Sequence, residues 1–410
     1  MLITQLVIKE VYKYFILIVL ILMLSLTLTY GEKTVKYAGI IYRHGERTPA
    51  NLYPTDPWQN ESLWPVKFGQ LTNVGKRQHY ALGKWLRKRY TVRLLRKSQL
   101  YIRSTDADRT LISAQANLAG MYPPFGTSVW ETDLIWQPIP VHTLPEQEDG
   151  LLAMKKTCMH YTKEREEFID STPYKQQLIK YQGLMDYLTA HTGKKINDFL
   201  DISEIYNILL IESSYNFTLP NWTQSVYPSK LQEPACYSFA TSTATPMMAR
   251  LMVGPLLKEI MTNIDMVVLE KKPNPLKLSI YSAHDFQIGN ILSAMGVFDG
   301  NCPVYTSTIF FELLQDTSTM EYFIQMLYRN STEIVEPYVL NIPRCGEICS
   351  FDRFLELYAN LIAVDWDYDC APKVSVKFLL YHTLFVMNIT LICFNLILFY
   401  LLFVFKNYIL

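Results

Sequence analysis

Two arginines flank a histidine in the run Arg43-His44-Gly45-Glu46-Arg47, which directly follows a stretch of apolar residues. Two guanidinium groups at close quarters repel each other unless an anion joins them, and their planar donors match the oxygens of a phosphate. The glycine allows close approach of the backbone and offers its amide as a further donor. Fixed cations disfavour a protonated imidazole, so His44 is expected in its neutral, nucleophilic form. The run predicts a phosphate site with a histidine nucleophile, although an ordinary surface turn is the alternative.

Polar residues also end or follow two other predicted strands. Arg103 ends a short strand at 100–103, and His284-Asp285 follows a strand at 276–281. In α/β sheets, ligands bind at the carboxyl ends of the strands. We therefore expect these side chains to gather around the Arg-His run.

Strands and helices alternate along the chain, which predicts an α/β fold. The stretch at 33–42 predicts a strand buried on both faces. A helix at 73–90 follows, opened by Thr72 and closed by basic residues. The other predicted elements are a helix capped at 104–106 and running to 120, a helical insertion at 163–207, helices at 247–264 and 288–295, and a hairpin of strands at 309–314 and 322–328.

Both ends of the chain carry long apolar runs. Residues 14–30 have no charged side chain and follow Lys9 and Lys13, which is the pattern of a secretory signal peptide. The run is longer than a usual signal core, so an uncleaved signal anchor is the alternative. The second run, at 378–405, contains no Asp, Glu, Lys or Arg and predicts a membrane-spanning helix. Together the two runs predict a single-pass type I membrane protein of the secretory pathway.

Cysteines and glycosylation sequences agree with export. Six of the seven cysteines lie outside the second apolar run, an even number that can pair completely in an oxidising compartment. Four Asn-x-Ser/Thr sequences lie in the exported part and predict N-glycosylation. Their asparagines are Asn60, Asn216, Asn221 and Asn330.

The composition excludes several classes of protein. The 38 basic residues are balanced by 38 acidic ones, so no net positive charge exists to bind nucleic acid. Half of the residues are hydrophobic and the mean hydropathy is +0.06, which excludes a disordered chain. The sequence has neither the Gly-x-Ser-x-Gly elbow of a serine hydrolase nor a glycine-rich P-loop.

The residues singled out above carry a resemblance to a known family. The run at 43–49 is similar to the RHGxRxP signature of the histidine acid phosphatases, branch 2 of the histidine phosphatase superfamily. Residues 282–285 resemble the family's His-Asp element, and 101–106 resemble the segment that supplies a further phosphate-binding arginine. The resemblance extends over nearly all of 35–370 and is most marked for the animal prostatic and lysosomal members.

The resemblance implies an acid phosphatase that hydrolyses phosphate monoesters without a metal or other cofactor. His44 would attack phosphorus and form a phosphohistidine, and Asp285 would protonate the leaving alcohol. Four further side chains would bind the phosphoryl oxygens. They are Arg43, Arg47, Arg103 and His284.

The resemblance also implies a fold: a three-layer α/β/α sandwich with a mixed central sheet and an inserted helical subdomain. The expected parts are a signal peptide or anchor at 1–31, an ectodomain at 32–373 with its α/β core at about 32–140 and 274–345 and its helical insertion at about 141–273, a transmembrane helix at 378–405, and a short tail at 406–410.

Disulfide pairs are a further implication of the resemblance. The pairs that match the family are Cys158 with Cys370 and Cys345 with Cys349. Cys236 and Cys302 are left over, and the sequence leaves open whether they form a third bridge.

Other functions stay open at this point. The ectodomain could have kept the fold and lost catalysis, acting as a binding module at the cell surface. A lysophospholipid or phytate phosphatase of the same superfamily is the second alternative, because Phe286 stands where the family commonly has threonine and puts the substrate range in question. The expected partners are a small phosphomonoester or phosphoprotein, membrane lipid around 378–405, and a second copy of the chain. The expected location is the cell surface or the lysosome.

Overall fold

The structure is a computed structural model that describes residues 12–19, 32–90, 95–271, 273–371 and 376–408. Seven strands of these residues form one mixed sheet in the order β2-β3-β1-β4-β5-β6, and β7 also pairs with β5. The strands are β1 Lys33–Arg43, β2 Leu100–Ser104, β3 Leu278–Ala283, β4 Thr308–Asp316, β5 Tyr322–Arg329, β6 Tyr338–Val339 and β7 Cys349–Ser350. The predicted strands and the β4–β5 hairpin are confirmed.

The centre of the sheet brings two strand ends together. Strand β1 is parallel to β3 on one side and antiparallel to β4 on the other. Arg43 pairs with Ala283 at the carboxyl ends of β1 and β3, and β2 is parallel to β3 as well. The carboxyl ends of β1, β2 and β3 therefore share one edge of the sheet.

Helices cover both faces of this sheet. The helices of the described residues are α1 at 12–19, α2 Asn73–Arg89, α3 Asp108–Met121, α4 Met159–Asp170, α5 Thr172–Thr192, α6 Phe199–Ser214, α7 Gln232–Thr241, α8 Pro246–Val268, α9 Asp285–Ala294, α10 Phe351–Leu357, α11 Ala359–Ile362, α12 Trp366–Cys370 and α13 Val376–Tyr408.

Alternating side chains of β1 separate two cores. Tyr37 and Ile41 lie in one apolar cluster together with residues of α8 and α9. Ile40 and Tyr42 lie in the other, together with residues of α2 and α3. Successive strand residues point to opposite faces, so an apolar run such as that of β1 marks a strand covered on both sides. The α/β fold with a mixed central sheet is thus confirmed, and the sheet lies between two helical layers.

A third apolar cluster belongs to the helical insertion. Its buried residues come mainly from α5, α6 and α7, with Phe199 and Leu209 of α6 among them. The insertion expected at 141–273 also included α8, but Leu257 and Ile260 of α8 pack against the sheet. That helix therefore belongs to a layer of the sandwich rather than to the insertion.

Two helix starts differ in how well the sequence predicted them. The side chain of Thr72 accepts a hydrogen bond from the backbone N–H of Gly75 at 3.1 Å, so α2 begins where its cap predicts. Helix α3 instead follows Ala107, which has no capping side chain, and begins beyond the predicted caps at 104–106. This later start places Arg109 in the first turn of α3.

The described residues contain three disulfides, two of which join distant parts of the chain. They are Cys158–Cys370, Cys236–Cys302 and Cys345–Cys349. The first ties the start of α4 to the end of α12, and the second ties α7 to the loop before β4. Cys236 and Cys302, whose pairing the sequence left open, are bonded to each other.

The predicted membrane segments are not confirmed. Apart from α1, the signal or anchor expected at 1–31 lies outside the described residues. The expected span at 378–405 falls within α13, and many of its side chains are likewise outside the described set. Within the ranges given above, no helix is long and apolar enough to cross a bilayer.

A pair of buried carboxyl groups joins α6 to the loop that follows β1. The side chain of Glu212 is fully buried, and that of Asp56 is 5% exposed. Burial and the hydrogen bond with Asp56 raise the pKa of Glu212 to about 9, and burial raises that of Asp56 as well. The folded chain therefore keeps a proton on Glu212 that the unfolded chain releases near pH 4.5.

We expect this pair to make the protein less stable at alkaline pH. A group with a raised folded pKa stabilises the fold below its unfolded pKa, and that stability is lost as pH rises through the folded value. The loss is at most ~1.4 kcal/mol per pH unit for one proton. Glu212→Gln should therefore flatten the decline of the thermal midpoint between pH 5 and pH 8, whereas exposed Glu347→Gln should not. If the thermal midpoints of both variants decline equally steeply with pH, the raised pKa of Glu212 is contradicted.

Candidate active site

The carboxyl ends of the three parallel strands meet as the sequence predicts. The backbone N–H of His44 donates to the carbonyl oxygen of Ala283 at 3.0 Å. After β2, the hydroxyl of Thr105 lies 3.0 Å from Nε2 of His284. The rings of His44 and His284 stand edge to face with centroids 5.6 Å apart. Two histidines from two strands thus share one buried site.

His44 is held as a neutral imidazole. Its Nδ1 lies 2.8 Å from the carbonyl oxygen of Gly45, and a carbonyl only accepts, so Nδ1 carries the proton and Nε2 keeps its lone pair. The side chain is 2% exposed. Burial, followed by the charge of Arg43, lowers the pKa of His44 well below 6.5. The ring can therefore act as a nucleophile at acidic pH.

Arg43 forms an ion pair with Asp285 across the ends of β1 and β3. Its Nη2 lies 2.7 Å from Oδ2 of Asp285, and its Nη1 donates to the carbonyl of Pro303 at 2.6 Å. The ring of Tyr305 lies under the guanidinium, 4.4 Å from Cζ to the centroid. These contacts fix the guanidinium in place, with Nε buried and unpaired among the described residues.

The charge of Asp285 depends on its cationic neighbours. Burial opposes ionisation of this carboxyl group, but Arg43 and Arg47 outweigh it and lower the pKa. Its Oδ1 also accepts the backbone N–H of Phe286 at 2.9 Å. Asp285 is therefore a carboxylate before an anion enters the site.

His284 is the second neutral histidine. Burial, followed by the charge of Arg109, lowers its pKa to about 3. The hydroxyl of Thr105, which contacts this ring, is also hydrogen-bonded to the hydroxyl of Thr110 at 2.8 Å. This connects the ring to the start of α3. A neutral imidazole in this position can donate or accept a hydrogen bond without adding charge.

A cavity of about 300 Å³ opens on these groups. His44, His284 and Asp285 line it, together with two arginines, Arg47 and Arg109. Burial, followed by the charge of Arg47, lowers the pKa of Arg109, and Nε of each arginine is buried without a described partner. Two guanidiniums that repel each other in a buried cavity form a site for an anion.

Arg109 is a site residue that the sequence reasoning missed. The resemblance assigned the third arginine to Arg103, but Nη2 of Arg103 lies 2.8 Å from Oδ1 of Asp149, and Arg103 does not line the cavity. Asp149 is fully buried and accepts backbone N–H groups from 151–153, so this pair organises a loop. The available signal was the position of Arg109 at a helix start just beyond a strand end.

The role expected for Gly45 is corrected as well. Its backbone N–H donates to Oγ of Ser113 at 3.1 Å and is not free to bind a ligand. A Cβ at Gly45 would lie 2.4 Å from the carbonyl oxygen of Gly75. The glycine thus permits contact between the loop after β1 and helix α2, rather than contact with phosphate.

The loop at 302–307 packs against the carboxyl end of β1. Besides the contacts of Pro303 and Tyr305 with Arg43, the backbone N–H of Arg43 donates to the carbonyl of Ser307 at 3.0 Å. Asn330 holds the loop through both ends of its side-chain amide. Its Nδ2 donates to the carbonyl of Cys302, and its Oδ1 accepts from the backbone N–H of Val304. The Cys236–Cys302 disulfide joins this loop to α7, 66 residues earlier in the chain.

We expect the Cys236–Cys302 disulfide to position Arg43. Replacing both cysteines by serine frees the loop that holds the guanidinium, and small misplacements are costly in catalysis, so kcat/KM should fall about tenfold. The same cysteine replacements should lower kcat/KM much less in a protein that already carries Arg43→Ala, because the guanidinium that the loop positions is then absent. Cys345→Ser with Cys349→Ser is the matched control, and equal losses for both pairs would contradict the positioning role.

No metal site accompanies this cavity in the part of the chain that the structure describes. Within those ranges, no cluster of three or more His, Cys, Asp and Glu side chains could hold a metal ion. The cationic groups that line the cavity are the guanidiniums of Arg47 and Arg109 and the ammonium group of Lys155.

The comparisons with known proteins agree with this arrangement. Residues 34–329 match the model of the histidine phosphatase superfamily, branch 2. Human prostatic acid phosphatase is 39% identical over 351 residues, which cover 84% of this chain and 89% of that protein. The lysosomal acid phosphatase of Xenopus laevis is 36% identical, with 83% of this chain and 79% of that protein covered.

A solved structure shares the fold at lower identity. A Hafnia alvei phytase in complex with tartrate superposes with a TM-score of 0.62 at 17% identity, covering 80% of this chain and 97% of that one. At this identity the likeness concerns the fold alone. From the family match and the identity to the acid phosphatases, the chain belongs to branch 2 of the histidine phosphatase superfamily.

Proposed function

We propose that the protein is an acid phosphatase that hydrolyses phosphate monoesters through a phosphohistidine. The observation that carries the proposal is the neutral, buried imidazole of His44, whose Nε2 is free in a cavity that Arg47 and Arg109 line. The proposed phosphate ligands are the guanidiniums of Arg43, Arg47 and Arg109 and the imidazole of His284. Arg109 replaces Arg103 in this set because Arg109 lines the cavity, whereas Arg103 is paired with Asp149. Arg43 does not line the cavity and is included because it is paired with Asp285, which does.

In the first step, Nε2 of His44 attacks phosphorus as the bond to the ester oxygen breaks. The arginines stabilise the charge on the equatorial oxygens, which is a large contribution in phosphoryl transfer. Asp285, a carboxylate in the free site, takes the proton that the monoanionic ester brings and passes it to the departing oxygen, so that an alcohol leaves and a phosphohistidine remains. The Nδ1–H bond to the Gly45 carbonyl disperses the positive charge that develops on the ring.

In the second step, water replaces the imidazole. Asp285, now a carboxylate, accepts a proton from the attacking water while the P–N bond breaks. Inorganic phosphate leaves, and His44 returns to its neutral form. The same carboxyl group thus serves first as an acid and then as a base.

The Arg43–Asp285 ion pair predicts how activity depends on pH. Asp285 is ionised before substrate enters, so the proton that the leaving group needs must arrive with a monoanionic phosphate ester, whose second pKa is about 6. Above that value, kcat/KM should fall about tenfold per pH unit, because the proton-carrying substrate form becomes scarce.

Two aryl phosphates whose second pKa values differ test this prediction. The pH at which kcat/KM starts to fall should move with the substrate in the full-length protein. If kcat/KM starts to fall at the same pH for both substrates, the group that titrates belongs to the enzyme and not to the substrate. Activity that rises toward alkaline pH would contradict the acid phosphatase proposal.

Two alternatives are less well supported. A silent binding ectodomain would need a damaged site, yet the nucleophile, the acid and the arginines converge on one cavity. A phytate-type substrate would need several cations for its several phosphates, and the fold likeness to phytases does not supply them. Lysophospholipids remain a substrate class that the same chemistry would accept.

We also propose that the chain enters the secretory pathway, which its three disulfides support. Anchoring through 378–405, and delivery to the cell surface or lysosome, rest on the uncharged run of the sequence. Extraction of membranes at alkaline pH tests the anchor, because an integral protein stays in the pellet.

The proposed glycosylation concerns three of the four asparagines. Asn60, Asn216 and Asn221 are exposed. Asn330 is half-buried, and its Nδ2 donates to the carbonyl of Cys302, so a glycan there would displace the loop beside Arg43. We therefore leave Asn330 out of the proposal.

A second copy of the chain is the proposed protein partner. The loop at 125–136 exposes several large apolar side chains, and exposed apolar patches of this kind commonly mark protein interfaces. The most exposed are Phe125, Trp130 and Ile135. Sedimentation of the protein with Trp130→Ser would test the pairing, since loss of the dimer is expected.

A further inference from the structure

Two buried carboxamides extend the active-site cavity beyond the groups that bind phosphate. Gln287 and Asn290 are both fully buried and both line the cavity. None of their four amide nitrogen and oxygen atoms has a hydrogen-bond partner among the described residues. Leaving a buried polar group unpaired costs about 1–3 kcal/mol, so such groups are rare unless something else satisfies them. The amides therefore mark a place that a polar ligand completes.

Their position on α9 relates them to the catalytic acid. Gln287 and Asn290 are three residues apart and share one face of the helix, whose first residue is Asp285. At 1.5 Å of rise per residue, they lie about 3 and 7.5 Å along the axis from Asp285. Asp285 serves the oxygen of the leaving alcohol, so the amides lie where the rest of that alcohol extends.

Several other lining residues of the cavity are apolar. Leu152, Ala153 and Met252 face it from the loop after the Arg103–Asp149 pair and from α8. Phe286 lines it as well, and its ring packs on Phe239 of α7 with centroids 5.0 Å apart. An apolar wall with a few polar groups is the usual composition of a small-molecule site.

Charge in this part of the cavity is compensated. Lys155 and Glu146 both line it and are ion-paired with each other. Apart from Arg47 and Arg109, which the transferred phosphate would occupy, no unpaired cation of the described residues lines the cavity. A second phosphate or a carboxylate would find no counter-charge there, whereas a neutral group that donates and accepts hydrogen bonds would fit both amides.

We propose that Gln287 and Asn290 form a leaving-group subsite that selects phosphomonoesters of neutral, largely apolar alcohols carrying an amide-like hydrogen-bonding group. The proposal rests on the proposed phosphatase function and names its substrate class. The subsite distinguishes such esters from those of plain hydrocarbons, because amides left unpaired by the wrong substrate reduce its binding.

The test compares 4-carbamoylphenyl phosphate with phenyl phosphate in the full-length protein. The apolar replacements Gln287→Met and Asn290→Leu, combined, keep the volume and remove the hydrogen-bonding groups. The ratio of kcat/KM for the two substrates should fall about tenfold in the double variant, which is the loss of one or two hydrogen bonds. Intrinsic reactivity cancels, since the same two substrates are compared in both proteins. Gln315→Met, a bonded amide at the far end of β4, is the matched control and should keep the ratio.

A binding measurement separates this inference from the proposed function. The affinities of 4-carbamoylbenzylphosphonate and benzylphosphonate, measured by calorimetry, require no turnover. We expect the carbamoyl compound to bind about tenfold more tightly to the unaltered protein and equally tightly to the double variant. Equal affinities in the unaltered protein would overturn the subsite, even if both phosphates are hydrolysed. If neither phosphate is hydrolysed but the carbamoyl compound still binds more tightly, only the phosphatase proposal is overturned.

Discussion

Replacing His44 by alanine is expected to lower kcat for p-nitrophenyl phosphate by about 10⁴-fold or more, because covalent catalysis is then lost. Three features suit this ring to nucleophilic attack: its burial, its free Nε2, and the neighbouring cations that, with burial, keep it neutral. The phosphoryl group should also be recoverable on His44. Radiolabelled substrate, quenched within milliseconds under alkaline denaturing conditions that preserve phosphohistidine, should label the unaltered protein and leave the variant unlabelled.

His79 offers a matched control for this experiment. It too is fully buried, and burial lowers its pKa to about 3. Its Nε2, however, is bonded to the carbonyl of Arg43 at 3.1 Å and does not line the cavity. His79→Gln should cost stability and less than about tenfold in kcat, because it removes no attacking group. Retention of more than one hundredth of the activity in His44→Ala would show that the nucleophile lies elsewhere.

Replacing Arg109 by alanine is expected to lower kcat/KM about 10²- to 10³-fold and to weaken inhibition by inorganic phosphate in parallel. One preorganised donor at a developing charge contributes on this scale, and Arg109 has an unpaired Nε in the cavity. Steady-state kinetics and phosphate inhibition measure both effects. Arg109→Lys should recover only part of the activity, since an ammonium group cannot form a bidentate contact with phosphate.

Arg103→Met is the matched comparison for Arg109. It breaks the ion pair with Asp149 and should lower the thermal midpoint, because a buried carboxylate is left with only backbone donors. Its effect on phosphate inhibition should stay below about tenfold, since Arg103 does not line the cavity. The opposite order of effects, with phosphate binding lost in Arg103→Met and kept in Arg109→Ala, would restore the assignment that the sequence suggested.

Much of the fold was predictable from the chain because the signals are local. The apolar run of β1, the cap of α2 at Thr72 and the polar residues after β1 and β3 each depend on neighbours in sequence. The juxtaposition of His44 with His284 also followed, because parallel strands place their carboxyl ends at one edge. Local patterns therefore sufficed for the α/β class and for the residues that we propose as nucleophile and acid.

Local sequence patterns did not predict which residue supplies the third arginine of the site. Arg103 and Arg109 are six residues apart in a segment that matches the family, and either could have supplied the guanidinium. The alternation of β2 directs Arg103 toward Asp149 on a distant loop, while the late start of α3 turns Arg109 into the cavity. A shift of helix start by two or three residues redirects a side chain by most of a turn.

The sequence by itself determined most of the elements, the histidine that we propose as the nucleophile, and the arginines on either side of it. Only the tertiary structure decided which arginine completes the site, that Cys236 is bonded to Cys302, and that Gln287 and Asn290 line the cavity without partners. The physical reason is the same in each case. Secondary structure follows from interactions between near neighbours, whereas the partner of a buried polar side chain is supplied by whichever distant segment packs beside it.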